Sequence, residues 1–120
     1  MTFFTDAGER AGEPITLVPS GTRTTNGSGP SAPTGPAHTA RLTLRVTAAG
    51  GTTPSMTITL ETSDDGAAWA AVGTFPAVTG TGNTRRVFSG LDRLIRASWA
   101  ITGGGGQTFT FSIDGGLVGS

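Results

Sequence analysis

The stretch that decides the fold is residues 56–69, which read MTITLETSDDGAAW. Apolar Met56, Ile58 and Leu60 alternate with polar residues, so one face of an extended segment is apolar and the other is polar. Asp65-Gly66 is a pair favoured where a hairpin requires positive φ, because glycine has no Cβ to clash there. Trp69 then returns a large apolar side chain to the same sheet. The stretch predicts two antiparallel strands joined by a tight turn.

The same two-residue period recurs on both sides of this hairpin, at residues 42–47, 95–101 and 109–113. No window shows the apolar spacing of an amphipathic helix, and turn residues separate the apolar segments at roughly 8–12-residue intervals. Short strands of this kind predict an all-β fold, an antiparallel β-sandwich of jelly-roll-like form. The predicted core consists of Leu42, Leu44, Val46, Met56, Ile58, Leu60, Trp69, Phe75, Val87, Ile95, Trp99, Ile101, Phe109, Phe111 and Ile113.

The chain divides into an irregular N-terminal arm, residues 1–14, and a single sandwich domain, residues 15–120. Apolar residues 15–18 form a predicted edge strand that Pro19 stops. Gly, Ser and Pro fill most of residues 26–36, which predicts an extended loop.

Composition argues against several kinds of partner. The chain of 120 residues has a formal net charge of +0, and only 13% of its residues are charged, against roughly 25% in a typical soluble domain. A chain without a basic surplus is a poor ligand for nucleic acid. No segment approaches the roughly 20 apolar residues that cross a bilayer, and the N-terminus lacks the features of a signal peptide. The expectation is a protein made in the cytoplasm, with neither nucleic acid nor membrane as partner.

Residues that could carry chemistry have simpler interpretations. His38, the single histidine, is predicted to be a solvated loop residue because no nucleophile accompanies it. Asp64, Asp65, Asp92 and Asp114 are predicted to form turns, since their spacing matches neither a calcium loop nor a glycosidase pair. The absence of cysteine removes thiolate chemistry. The sequence therefore predicts no catalytic residue, no cofactor-binding residue and no metal ligand, and hence a protein that is not an enzyme.

Two further motifs carry no chemistry. The four glycines at residues 103–106 lack a following Lys-Ser/Thr and are predicted to be a hairpin linker rather than a phosphate cradle. The sequon at residues 26–28 is short and common, and no secretion signal supports it.

The arginines leave two interpretations open. All eight basic residues are arginine, and six of them are predicted to point outward from strands: Arg41, Arg45, Arg85, Arg86, Arg93 and Arg96. They form either a solvated polar face or a set of bidentate contacts to carboxylates of a neighbouring subunit. Some pairing with nearby Asp92 is also possible on sequence distance alone.

Two resemblances add to this interpretation. The hairpin Ser63-x-Asp65-Gly66-x-x-Trp69 resembles one in discoidin-type carbohydrate- or membrane-binding sandwiches. A longer series resembles small virion proteins of tailed bacteriophages, in which the same motifs follow in the same order. These motifs correspond here to Thr16–Thr24, Leu42–Thr47, Thr57–Trp69, Gly90–Trp99 and Phe109–Ile113.

The phage resemblance implies a structural protein of the virion, which decorates the outer capsid surface and has the major capsid protein as its partner. It implies a homo-oligomer, with a trimer favoured. A head–tail connector or tail component is the structural alternative. A carbohydrate-binding module is an alternative of another class, and it requires exposed aromatics where alternation predicts Trp69 and Trp99 to be buried.

Overall fold

The computed structural model describes residues 7–35 and 37–119, and the side chains of residues 14–35 and 37–118. These residues form two antiparallel sheets packed face to face, which confirms the predicted all-β sandwich. The strands are β1 (Ala7–Arg23), β2 (Gly27–Ser28), β3 (Ala32–Pro33), β4 (Ala37–Thr52), β5 (Ser55–Ser63), β6 (Ala70–Thr74), β7 (Gly82–Ser89), β8 (Leu94–Thr102) and β9 (Gly105–Gly119).

One sheet has four strands in the order β1-β9-β4-β7, and the other has the order β2-β8-β5-β6 with β3 also paired to β8. The chain passes between the two sheets several times, and two of these passages run from β4 to β5 and from β8 to β9. Glycines lie in the strand ends beside both connections, where Gly51 of β4 and Gly106 of β9 have positive φ values of 104° and 65°. A side chain is disfavoured in that conformation, so glycine suits both positions.

The start of the chain joins the first sheet earlier than predicted. Residues 1–6 of the expected arm lie outside the described residues, and residues 7–14 belong to β1. The strand therefore begins at Ala7, and its pairing with β9 extends to Ala11, which is opposite Val118. Proline is tolerated here since β1 is an edge strand, and Pro19 falls within a register shift between Val18 and Gly21.

The predicted extended loop after β1 covers the open edge of β8. Two short bridges, β2 and β3, pair with β8, and the amide of Gly29 donates to the carbonyl of Ala97 at 2.8 Å. The side-chain oxygen of Asn26 accepts a hydrogen bond from the amide of Ile101 at 2.8 Å. The loop therefore satisfies backbone groups that an uncovered edge strand would leave unpaired.

The buried core lies between the sheets and contains most of the predicted residues. Every predicted core residue except Trp69 and Val87 is buried. Apart from Phe75, which follows β6, these residues lie in strands, where alternation directs their side chains toward the opposite sheet. Buried residues that the prediction omitted include Leu17, Val18, Phe88, Leu91 and Leu117.

Two aromatic pairs connect the sheets. The ring centroids of Phe75 and Phe88 are 5.4 Å apart with an interplanar angle of 70°. Those of Trp99 and Phe111 are 5.2 Å apart at 80°. Both pairs have the edge-to-face geometry that aromatic quadrupoles favour.

The predicted inward position of Val87 is wrong. Val87 is 59% exposed, whereas the adjacent Phe88 is buried. Phe88 pairs across the sheet with Ala40, whose small side chain leaves space for the ring. Two consecutive apolar residues do not reveal which one faces the core, because the sequence pattern suits either phase.

The predicted burial of Trp69 is also wrong. Trp69 precedes β6, so strand alternation does not set its direction, and it is only half-buried. The guanidinium carbon of Arg96 lies 4.3 Å from the ring centroid. This cation–π contact covers part of the indole ring, which lies at the surface and not in the core.

Substitution of Phe88 and Val87 tests the observed phase of β7. Phe88→Ala should lower the free energy of unfolding by about 3–5 kcal/mol, because it removes a buried ring and leaves a cavity. Val87→Ala is the matched control and should change it by less than about 0.5 kcal/mol, since that side chain is exposed. Urea denaturation measures both values, and a larger loss for Val87→Ala would contradict the structure.

Candidate interaction surface

A groove runs along the outer face of the four-stranded sheet, over β4, β7 and β9. Its volume is about 680 Å³. We call it the arginine groove, because three of its lining residues are arginines. The lining consists of Thr39, Arg41, Leu42, Thr43, Arg85, Arg86, Val87, Gly115, Gly116 and Val118.

Strand alternation places the side chains of the groove. Arg41 and Thr43 face outward because Leu42 and Leu44 are buried between the sheets. Arg41 pairs across the sheet with Val87 and Thr43 pairs with Arg85, so both pairs lie on the outer face. The outward-facing side chains of two neighbouring strands, among them the apolar Val87, therefore line the groove.

Glycine in β9 keeps the floor of the groove at the level of the backbone. A Cβ atom built on Gly115 would lie 1.8 Å from the carbonyl oxygen of Arg41, so no larger residue fits without moving a strand. Gly116 follows it and likewise has no side chain. Gly115 pairs with the inward-facing Leu42 and Gly116 pairs with the outward-facing Arg41, so the missing side chain of Gly116 leaves the depression on the outer face.

The groove is basic. Its described lining includes no carboxylate. Beside it, Arg45 pairs with Asp114 at 3.3 Å, and both side chains are substantially exposed. Exposed pairs of this kind contribute little stability. The groove thus presents positive charge around the exposed Val87, the one large apolar residue that is strongly exposed among the described side chains.

The arginines have different roles. Arg96 donates from Nε to Glu61 at 2.8 Å on the other sheet. Arg86 donates to the carbonyl of Thr74, and its guanidinium carbon lies 5.5 Å from the ring centroid of Phe88. Neither ion pair described above includes Asp92, so the suggested local pairing with Asp92 is not what the structure shows.

Arg23, which the sequence did not single out, is packed into the side of the sandwich. Its guanidinium carbon lies 4.6 Å from the ring centroid of Phe111 and 5.0 Å from that of Trp99. It also donates to the carbonyls of Gly21, Phe111 and Pro19. Burial lowers the pKa of Arg23 from its ordinary value, because desolvation disfavours the charged form.

The candidate catalytic residues are dispersed. His38 is exposed as expected but lies in β4 rather than in a loop, and its Nδ1 is 3.3 Å from the carbonyl oxygen of Leu91. Asp92 lies between β7 and β8, where its amide donates to Thr62 Oγ1 at 2.7 Å. Asp114 lies within β9 and not in a turn, because the strand extends to Gly119. Among the described residues, no group of three or more His, Asp or Glu side chains could hold a metal ion.

Asp65 organises the connection between β5 and β6. Its Oδ1 accepts hydrogen bonds from the amides of Ala67 at 2.9 Å and Ala68 at 3.1 Å. Ser63 Oγ accepts from the amide of Gly66, which has a φ of 79°. The turn chemistry predicted for Asp65-Gly66 is therefore present. These amide bonds, and then the one from Ser63, lower the pKa of the Asp65 carboxyl.

No protein-family model matches the chain, and no curated protein is similar enough to indicate a relationship. The part of the chain that the structure describes contains no helix long and apolar enough to cross a membrane.

Acid titration tests the turn. Because the folded pKa of Asp65 is below its ordinary value of 3.8, its stabilisation is present above that value and is lost as the pH falls through the folded pKa. Asp65→Ala should lower Tm at pH 7, and the difference from the parent should shrink as the pH falls below the ordinary value of 3.8 and through the folded pKa.

Asp64→Ala is the matched control for this measurement, because Asp64 is the exposed neighbour in the same turn. Calorimetry at several pH values measures both variants. Equal losses for the two variants at neutral pH would contradict the role assigned to Asp65.

Proposed function

We propose that this chain is a structural protein of a tailed-bacteriophage virion, which decorates the outer surface of the capsid as a homotrimer. The ordered motifs that resemble phage virion proteins support the proposal. Those motifs coincide with strands and turns of the sandwich, including Leu42–Thr47 in β4 and Phe109–Ile113 in β9. Their shared order therefore reflects the elements that build the core.

The arginine groove is the observation on which the proposal depends most. It lies open on the outer face of the sheet and is lined by arginine, threonine, glycine and apolar residues that include Val87. Small-molecule sites are more enclosed and place a few polar groups around an apolar pocket. This surface suits a segment of a neighbouring protein chain.

The outer face of the sheet that contains β5 and β8 also suits extended protein contact. Threonine, serine and alanine occupy many outward positions, such as Thr57, Thr59, Ser98 and Ala100. Few charged groups must be desolvated when such a surface meets a partner. In this proposal the protein strengthens the shell mechanically, because each copy links neighbouring capsomers through many individually weak contacts.

The copy number of the chain in purified virions tests this function. We expect a ratio near one copy for each major capsid protein, because a decoration protein occupies the repeating lattice. Quantitative mass spectrometry of intact particles measures the ratio, with the major capsid protein as internal reference. A few copies per particle would instead support the connector or tail component, and absence from virions would overturn the virion assignment.

A carbohydrate-binding module is the second candidate, because Trp69 is half-buried and lies at the surface of the other sheet. Glu61 and Arg96 are close to it and could supply polar contacts to a sugar. In that case, oligosaccharides should quench tryptophan fluorescence in the parent protein and not in Trp69→Phe. Unchanged fluorescence across a panel of glycans would remove this candidate.

A further inference from the structure

We propose that residues 2–6 of a second copy of this chain add to the four-stranded sheet as a further strand, antiparallel to β7. The proposal rests on the homo-oligomer of the proposed function and names its contact, but it does not depend on the capsid. The added strand would lie beside β7, at the edge of the arginine groove.

β7 is a regular edge strand. It pairs with β4 at eight consecutive positions, from Thr39↔Ser89 to Val46↔Gly82, without a register shift. It is the last strand of its sheet, so its other side presents backbone groups that a further strand can bind. The other edges differ: β1 contains prolines and several register shifts, and the pairing of β6 contains a shift between Leu60 and Glu61.

The side chains of β7 define what an added strand must carry. Arg85 and Val87 lie on the outer face, two residues apart, and Phe88 lies on the inner face. A strand placed beside them requires a carboxylate opposite Arg85 and an apolar side chain opposite Val87. Opposite-charge and apolar cross-strand pairs both stabilise a sheet.

The N-terminal sequence Thr2-Phe3-Phe4-Thr5-Asp6 has this pattern. In an antiparallel register, Asp6 is opposite Arg85 and Phe4 is opposite Val87. The same register places Phe3 opposite Phe88 on the inner face, and cross-strand aromatic pairs are favourable. No parallel register makes both pairs, because Asp6 opposite Arg85 would place Phe4 opposite Asn83, so the antiparallel arrangement is favoured.

The strand must come from a second copy. Asp6 directly precedes Ala7, the first residue of β1, and β1 is at the opposite edge of the same sheet. The position beside β7 is four strand spacings away, roughly 19 Å. Consecutive Cα atoms are only about 3.8 Å apart, so Asp6 cannot reach the β7 of its own chain. Such head-to-tail contacts close into a ring when the rotation between copies allows it.

Charge exchange tests the contact in solution. Sedimentation velocity of the full chain over a range of concentrations should show a concentration-dependent oligomer. Arg85→Glu should weaken the association about tenfold, because it replaces attraction to Asp6 with repulsion. Combining Arg85→Glu with Asp6→Arg in one chain should restore the association.

Arg93→Glu is the matched control, because Arg93 is an exposed arginine in the connection after β7 and should leave the association unchanged. Circular dichroism verifies that each variant is folded. A parent protein that stays monomeric, an Arg85→Glu variant that associates normally, or a double variant that is not restored would each overturn the proposal.

Cysteine pairing tests the register, since the chain contains no cysteine of its own. Thr2 is opposite Ser89 in the proposed register, and neither residue belongs to the contacts named above. Mixing Thr2→Cys with Ser89→Cys under mild oxidation should give a mixed disulfide, identified by mass spectrometry of the linked peptides. Mixing Thr2→Cys with Asn83→Cys should not, because Asn83 is at the far end of β7.

A disulfide to the residue at position 83, or none to the residue at position 89, would overturn the proposal. These outcomes are separate from the test of the proposed function. Absence of the chain from virions would remove the capsid assignment and leave the association in solution intact, whereas a monomer found at high copy number would do the reverse.

Discussion

The contact between the two sheets is the constraint on which the rest of the structure depends. It is made by alternate residues of the long strands and completed by two edge-to-face aromatic pairs. An arginine accompanies each pair: Arg86 lies over Phe88, and Arg23 lies over Trp99 and Phe111. Each guanidinium also donates to backbone carbonyls, so its charge remains hydrogen-bonded where it covers apolar rings. A chain with few charged residues thus uses two of them to close the sides of its core.

The outer faces are free of that constraint, and they are where the two sheets differ. On one sheet the charges are paired locally, with Arg96 bonded to Glu61 and stacked on Trp69. On the other, Arg45 pairs with Asp114, but Arg41 and Arg85 lie beside Val87 in the arginine groove, where Gly116 of β9 lowers the surface. A self-paired cluster has less to gain from a partner than a basic groove whose described lining holds no carboxylate. This asymmetry favours the four-stranded sheet as the interaction surface.

Local structure was predictable where the sequence pattern allows only one conformation. The Asp65-Gly66 turn forms as expected, because Gly66 supplies the positive φ and Asp65 accepts amide hydrogen bonds. The strands around Leu44 and Ile58 were predictable because strict alternation leaves one possible phase. The predicted burial was wrong at Val87 and at Trp69, for two different reasons. Two adjacent apolar residues made the phase of β7 ambiguous, and Trp69 lies in a connection where alternation does not apply.

The sequence by itself determined the fold class, most of the core and the turn chemistry, because hydrophobic periodicity and glycine conformation are local properties. Only the tertiary structure decided which strands are neighbours, which apolar residue of β7 faces inward, and which arginines stack, pair or remain at the surface. Those outcomes depend on residues far apart in the chain: Arg23 contacts Phe111, and the pairing of Arg41 with Val87 forms one wall of the groove. Cross-strand neighbours of this kind are set by register between distant segments, and no local pattern encodes that register.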